Sequence, residues 1–319
     1  MGSNTESTNT ESTSTETTNT FPQLSSHLQE LITSPDDSWL YPEDAFFKYS
    51  PTREQNATIQ QELKLKESMF NFIIKLGSKL HVDGRTILAT FIYLHRYYMR
   101  LPITSSKYYV ASAAFCISCK LNDNYRPPDR ISLVSCQIRN PNPQIQIDEQ
   151  SVIYWKWKDQ ILMREELILR KLNFDLNLIL PYMFKDIFIN LKIENCSNLL
   201  FFEKRADVFK MTTGLIEVLS ALPIIICYNM RCILATCVVI TTMEGQTQIG
   251  PDLRIPDGFL KNYLNITRDE CIKCFKFMRS LLKCSQQSED QQQISNVKIS
   301  KRILAIRSEK FIEFIANQD

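Results

Sequence analysis

The stretch that most limits what this chain can fold into is residues 86–121, TILATFIYLHRYYMRLPITSSKYYVASAAFCISCKL. Between Thr86 and Met99 the only formally charged residue is Arg96, and residues 108–119 carry no formal charge. A helix that is apolar nearly all round lies inside a bundle rather than on its surface. The first segment is rich in β-branched and aromatic residues, which also suit a strand. Its length decides for helix, because strands usually run roughly four to eight residues. Ala111, Ser112, Ala113, Ala114 and Ser118 would let neighbouring helices approach closely, and Pro102 falls in the connection, where a missing N–H costs little. The second run stops at Lys120, with Asn122, Asp123, Asn124, Pro127 and Pro128 following. A buried helix that delivers a lysine to its end, beside a turn, needs an explanation.

A length of 319 residues suggests about two domains. A hydrophobic fraction of 44% supports a substantial core, and a net charge of +2 gives no argument for a nucleic-acid-binding surface. Seven glycines are too few for most folds built on many tight turns. There is no P-loop or GxGxxG spacing. The N-terminus lacks a basic region followed by an apolar one, so no signal peptide is expected. No uncharged apolar run approaches about eighteen residues, so no membrane span or membrane partner is expected. Ten cysteines are most simply reduced thiols in a cytosolic or nuclear protein.

Along the chain, residues 1–20 repeat TEST, TEST, TETT. Residues 1–37 are expected to be a disordered low-complexity tail, since so polar a segment cannot bury enough apolar area to offset chain entropy. Trp39 and Tyr41, between Asp37 and Pro42, read as an extended segment whose aromatics anchor onto a domain. Apolar positions from Ile59 to Leu76 recur at helical spacing, as do those of a long helix from about Glu149 to Leu172. With the two buried helices and a short one near Ile131–Cys136, these make one compact five-helix unit ending near 178. A second helical series follows over 182–193, 199–220, 227–243 and 267–284. The segment CILATCVVITTMEG (232–245) weakly echoes YVASAAFCISCKLND (109–123), which suggests two bundles of similar design in tandem. The fold class is therefore all-α. Units are expected at 38–178 and 179–285, followed by a C-terminal tail, 286–319, with one amphipathic helix over 298–316.

Most candidate chemistry fails. Cys116 with Cys119, and Cys271 with Cys274, make two C-x-x-C pairs, yet both lie in helical patterns without a glycine knuckle, so structural zinc is not expected. His95 sits in an apolar helix and reads as a hydrogen-bonded core histidine rather than a catalytic base. No nucleophile motif or paired carboxylates appear, so no catalytic residue, metal or cofactor is assigned. Lys120 and Glu165 stand apart. Glu165 shares the apolar face of Ile161, Leu169 and Leu172, where a charge is costly unless paired. The two could pair with each other at the bundle rim, or partly with the backbone of another protein.

These motifs resemble the cyclin box, in the manner of the transcription cyclins K, T, C and L. IYLHRYYM (92–99) is similar to their I-Y-x-H-R-F-Y-M helix, and SAAFCISCKLND (112–123) to the helix end A-x-x-F-L-A-x-K-x-E-E. EELILRKLNFDL (165–176) is similar to E-x-x-x-L-x-x-L-x-F-D-L, LPYMF (180–184) to the opening of a second cyclin fold, and SWLY (38–41) to the aromatic pair before the first helix. The likeness covers roughly residues 38–285. It implies two tandem five-helix cyclin folds and no active site. It also implies a heterodimer with a cyclin-dependent kinase in the nucleus, with the RNA polymerase II tail as substrate of the complex.

Carried over singly, the kinase-binding positions are Lys120, Glu165, Leu169, Phe174 and Leu176; Lys66, His95 and Arg96 fall at structural positions of the box. The departures are KLND in place of K-x-E-E, which puts Asn122 at the first acid, a shifted proline at Pro127 and Pro128, and Met230 where a proline often begins the central helix of the second fold. Two alternatives remain at this point. One is a TFIIB-like general transcription factor, which would want a basic groove and an N-terminal zinc ribbon. The other is a cyclin-like scaffold that binds a kinase without activating it.

Overall fold

The computed structural model describes residues 39–142, 147–192, 198–286 and 294–316, and every regular element within them is helical. The expected disordered tail, 1–37, lies outside the described residues, as do residues 287–293 near the start of the expected C-terminal tail.

Two short helices open the chain, α1 (Glu43–Tyr49) and α2 (Pro51–Glu54). Residues 39–42, with the anchor aromatics, are non-helical, and no helix is expected from the sequence over 43–54. Seven residues are too few to show a helical period, and Pro51 restarts the helix at a first-turn position, where its missing N–H costs nothing. Then come α3 (Ile59–Leu80), α4 (Gly84–Tyr98), α5 (Lys107–Leu121), α6 (Pro128–Arg139) and α7 (Val152–Lys171). Thr58 and Gln61 form a reciprocal capping box on α3, which ends at His81 in the left-handed region. Asp83 caps α4 through the Thr86 N–H, and Ser151 caps α7 through Tyr154. A side chain at Gly77 would bring its Cβ within 2.8 Å of Ile87 Cδ1, so the glycine permits the close approach of α3 and α4. Helix α5 is buried without interruption from Val110 to Cys119, as its uncharged sequence requires. Helix α6 is twice as long as the six residues expected, because Pro128 starts it early and the polar turn Gln137–Arg139 still completes it.

The second series repeats the plan. A 3₁₀ turn, Pro181–Phe184, leads into α8 (Lys185–Ile189), α9 (Leu199–Leu219), a further 3₁₀ turn Pro223–Ile226, α10 (Met230–Gln248), α11 (Phe259–Leu264) and α12 (Arg268–Gln286). Helix α10 is the buried axis of this half, as α5 is of the first, so the weak internal echo marks equivalent elements. The absent proline at Met230 is made good by Asn229, whose side chain accepts from the Cys232 N–H. Helix α11 was not anticipated, since six residues after a turn carry no periodic signal.

Where one amphipathic helix is expected over 298–316, the chain forms two, α13 (Ile294–Ala305) and α14 (Ser308–Ala316). The Arg279 guanidinium fixes the corner by donating to Leu304 O at 3.2 Å and Ser308 Oγ at 2.6 Å. Phe311 stacks on Phe275 of α12 with ring centroids 3.8 Å apart, and Ile303, Phe311 and Ile315 are buried. This segment is therefore part of the second bundle.

Two apolar cores result. The first gathers Met69, Ile73, Leu76, Phe115, Trp157, Ile161 and Ile168 from α3–α7. The second centres on α10 but also takes Phe46, Leu63, Leu88 and Ile92 from the N-terminal half.

Candidate functional site

Lys120 and Glu165 meet at the rim of the first bundle, where α5 crosses α7. Lys120 Nζ donates to both carboxylate oxygens, at 2.9 and 3.1 Å. The carboxylate side chain is 10% exposed and the lysine side chain 44%, so the anion sits inward and the ammonium outward. Burial works against the charged lysine, but the Glu165 hydrogen bond and the nearby charges outweigh it and raise its pKa. Of its three N–H donors, two are committed to Glu165.

The segment after α7 is held with equal care. Leu172 ends the helix, and the next two residues, Asn173 and Phe174, both have positive φ, 54° and 56°. The Phe174 N–H bonds to Leu169 O at 2.9 Å and the Asn173 N–H to Arg170 O at 3.1 Å, which is the Schellman pattern with asparagine at the left-handed position. Arg100 donates to Lys171 O at 2.6 Å and to Asn173 Oδ1 at 2.9 Å. Farther along, Tyr93 OH donates to Leu176 O at 2.7 Å and Arg96 to Asn177 O at 3.3 Å. Trp39 closes the arrangement from outside. Its indole N–H reaches Asp175 Oδ2 at 2.7 Å, while the guanidinium groups of Arg100 and Arg96 lie 4.5 and 5.3 Å from its ring. So braced, Phe174 is 66% exposed, whereas Leu169 and Leu176 are half-buried against the first core. A bulky residue in the left-handed region is uncommon, and here it points the ring outward.

The expected site residues thus divide. Lys120 and Glu165 are in contact; Leu169 and Phe174 share one helix end; Leu176 lies just beyond it. Lys66, His95 and Arg96 are interior. Lys66 is buried, 3.5 Å from the Glu62 carboxylate, which also takes Arg53 Nη2 at 3.2 Å and the Ser50 hydroxyl at 2.8 Å. His95 Nε2 is 2.8 Å from Ser220 O, across the two bundles. Sequence reasoning missed Leu121 and Tyr125, both exposed on the turn beside Lys120, and Arg126, which donates from Nε to Leu80 O and from Nη2 to His81 O, both at 2.9 Å, and so anchors that turn to the end of α3. Exposure at a helix end leaves no mark in the periodicity, so nothing in the sequence flagged them. Asn122 bonds back to Ser118 O at 2.9 Å and finishes its own helix.

The cysteine pairs are buried free thiols, and Cys119 is pushed up to about 12 by burial. Among the described residues no cluster of metal-ligating side chains occurs, and no helix is long and apolar enough to cross a membrane.

Comparison with known proteins agrees with this layout. Residues 43–177 match the model of the cyclin N-terminal domain. Cyclin pch1 of Schizosaccharomyces pombe is 30% identical over 152 residues, 47% of this chain and 44% of the relative. Cyclin-T1-3 of Arabidopsis thaliana is 29% identical over 148 residues, 45% of this chain and 46% of the relative. The chain thus spans less than half the length of these relatives. A chain in the crystal structure of the yeast RNA Pol II CTD kinase CTDK-1 complex has a similar fold, with a TM-score of 0.55 and 12% identity over 88% of this chain and 83% of that one.

Proposed function

Starting from a cyclin N-terminal domain over residues 43–177 and a likeness to transcription cyclins, we propose that this chain is the non-catalytic regulatory subunit of a transcriptional cyclin-dependent kinase, acting in the nucleus. The complex phosphorylates the C-terminal repeats of RNA polymerase II. The observation that carries this reading is the fixed presentation of Phe174 at the end of the same helix whose Glu165 pairs with Lys120.

The mechanism follows from what a kinase needs. Catalysis requires the β3 lysine to pair with the αC glutamate, and the position of αC controls that pair. An apolar surface that binds the inward position of αC better than the outward one shifts the population toward the active state. Phe174 supplies an aromatic anchor already aimed at solvent, so little ordering entropy is lost when it is buried. Leu169 and Leu176, half-buried against the first core, supply further apolar surface at the same end of the helix. Lys120 and Glu165, locked on each other, offer charge-assisted hydrogen bonds to main chain at the edge of the contact and set its register. A first unit over 38–178 and a second over 179–285, enlarged by the C-terminal helices up to Ala316, fit this role, the first meeting the kinase and the second bracing it.

The test is co-purification with the catalytic subunit of a CTD kinase, followed by phosphorylation of a heptad-repeat peptide. Phe174→Ala and Lys120→Glu should each weaken binding by about tenfold or more and lower peptide phosphorylation in proportion. Both variants binding and activating as the parent chain does would remove the assigned surface.

A further inference from the structure

The side of α7 turned away from the proposed kinase-facing residues carries an apolar strip of its own. Met163, Leu167 and Lys171 follow one another at four-residue steps and so share one face. Leu167 sits roughly 160° around the helix from Leu169. Met163 is 64% exposed and Leu167 38%. The strip ends in positive charge. Lys171 has no acidic partner among the described residues, and the exposed Arg100 stands beside it, donating to Lys171 O and Asn173 Oδ1, both from Nη1. Over about 12 Å of helix this face therefore reads apolar, apolar, then basic.

The N-terminal segment leaves the fold at the same place. Trp39 is the first described residue, and its indole N–H binds Asp175 at 2.7 Å with the Arg100 guanidinium 4.5 Å from the ring. Residues 1–38 hold six acidic residues and no lysine or arginine, and Asp36 and Asp37 stand just before this exit. Ahead of them, LSSHLQELI (24–32) places Leu28, Leu31 and Ile32 four, seven and eight residues after Leu24. That is the anchor spacing of a helix that lays one face on a surface. Pro35 closes the pattern, since the residue before a proline is turned away from helix. Moving outward from Trp39, the segment reads acidic then apolar, and the strip reads basic then apolar. The lengths agree as well. Leu24 to Ile32 spans about 12 Å as a helix, the same as Met163 to Lys171, and residues 33–38 reach up to about 20 Å. A tether that short holds the segment at an effective concentration of about millimolar, so a weak contact suffices.

We infer that residues 24–32 dock as an amphipathic helix along the Met163–Leu167 strip, with Asp36 and Asp37 paired to Arg100 and Lys171. Docking keeps Trp39 on Asp175 and so steadies the turn that carries Phe174. The contact is made within the chain and needs no kinase, so it stands or falls apart from the kinase reading.

The experiment is amide hydrogen exchange, read by mass spectrometry on the full-length chain. The parent is compared with Leu28→Ser/Leu31→Ser, Met163→Ser/Leu167→Ser and Asp36→Lys/Asp37→Lys, each with its melting temperature and sedimentation profile. Amides of residues 24–32 should exchange about tenfold more slowly in the parent than in the Leu28→Ser/Leu31→Ser chain. The Met163→Ser/Leu167→Ser chain should release the same amides to the same extent while α7 keeps its parental protection, and the charge reversal should release them in part. Amides of 24–32 that exchange in the parent as fast as in the Leu28→Ser/Leu31→Ser chain overturn the inference. Protection that survives in the Met163→Ser/Leu167→Ser chain puts the segment on another surface and overturns it too. If that chain loses protection throughout its core, the charge reversal decides, because it lies ahead of the first described residue: parental protection of 24–32 there overturns the inference. Protection that fades on dilution, together with a dimer in sedimentation, assigns the strip to the segment of a second copy and likewise overturns it.

Discussion

His95 shows how one side chain can join the two bundles and make the fold sensitive to acid. A carbonyl can only accept, so the nitrogen facing Ser220 O must carry the proton, and Nδ1 is left buried without a partner. Burial, and secondarily the nearby Lys66 ammonium, push its pKa down to about 3. In the unfolded chain the imidazole protonates near its ordinary value of about 6.5. The folded value is the lower one, so the stability it contributes is present above about pH 6.5 and is lost as pH falls toward 3. Between pH 7.5 and 5.5 this amounts to about 1.4 kcal/mol. Urea titrations at those two pH values should show that drop in the parent chain. In His95→Gln, which retains an N–H donor, the drop should be smaller by about the same amount; an unchanged pH dependence would place the acid sensitivity elsewhere. That His95 is a core residue is legible from its apolar neighbours in sequence. Its partner is not, because Ser220 lies 125 positions away and a carbonyl belongs to every residue.

At the scale of the element, the end of α7 does more than stop a helix. The Schellman turn needs a residue that tolerates positive φ at Asn173, and asparagine does so while also accepting from Arg100. Asn173→Ala should cost about 1–2 kcal/mol through left-handed strain of the backbone alone, and it should weaken kinase binding because Phe174 loses its fixed direction. Asn173→Gly keeps the backbone and should restore stability and most of the affinity, which separates the conformational role from the hydrogen bond to Arg100. Thermal melts and kinase titrations of the two variants supply the comparison. Helix α7 itself was readable from its three- and four-residue steps, and Glu165 was placed on the inner face by the same spacing. The cap was not readable, since consecutive left-handed residues depend on Trp39, Tyr93, Arg96 and Arg100 gripping the segment from elsewhere in the fold.

Over the whole molecule, the sequence conveys two bundles but not how far they share an interior. The charge-free runs inside α5 (108–119) and α10 (232–243) announce themselves as axes, because runs of that length have nowhere else to go. Sequence position also suggests a division near residue 178. The packing is less divided. Phe46, Leu63, Leu88 and Ile92 precede that point and belong to the second core, while Tyr41 N–H bonds to Ile226 O at 2.7 Å and Tyr228 OH to Glu43 at 2.6 Å. The N-terminal segment therefore fastens one bundle to the other, and periodicity along a chain cannot report which bundle receives a given face.

A fragment of residues 39–178 should accordingly behave worse than a free-standing domain. It would uncover at least those four large apolar side chains, each worth about 1.5–3 kcal/mol when buried. Its melting temperature should fall by more than about 10 °C relative to the full chain, and it should bind a hydrophobic dye. The full chain, by contrast, should unfold in one transition by both calorimetry and circular dichroism. A fragment that melts with the full chain would show that the four residues gain little from the second bundle and that the N-terminal half stands alone. The expected coupling has a functional consequence: Leu88 and Ile92 lie on the same helix as Tyr93 and Arg96, which hold the segment carrying Phe174. Loosening the second bundle should therefore weaken kinase binding without touching a contact residue, and Ile233→Ala in α10, tested in the same titration, is the variant that measures it.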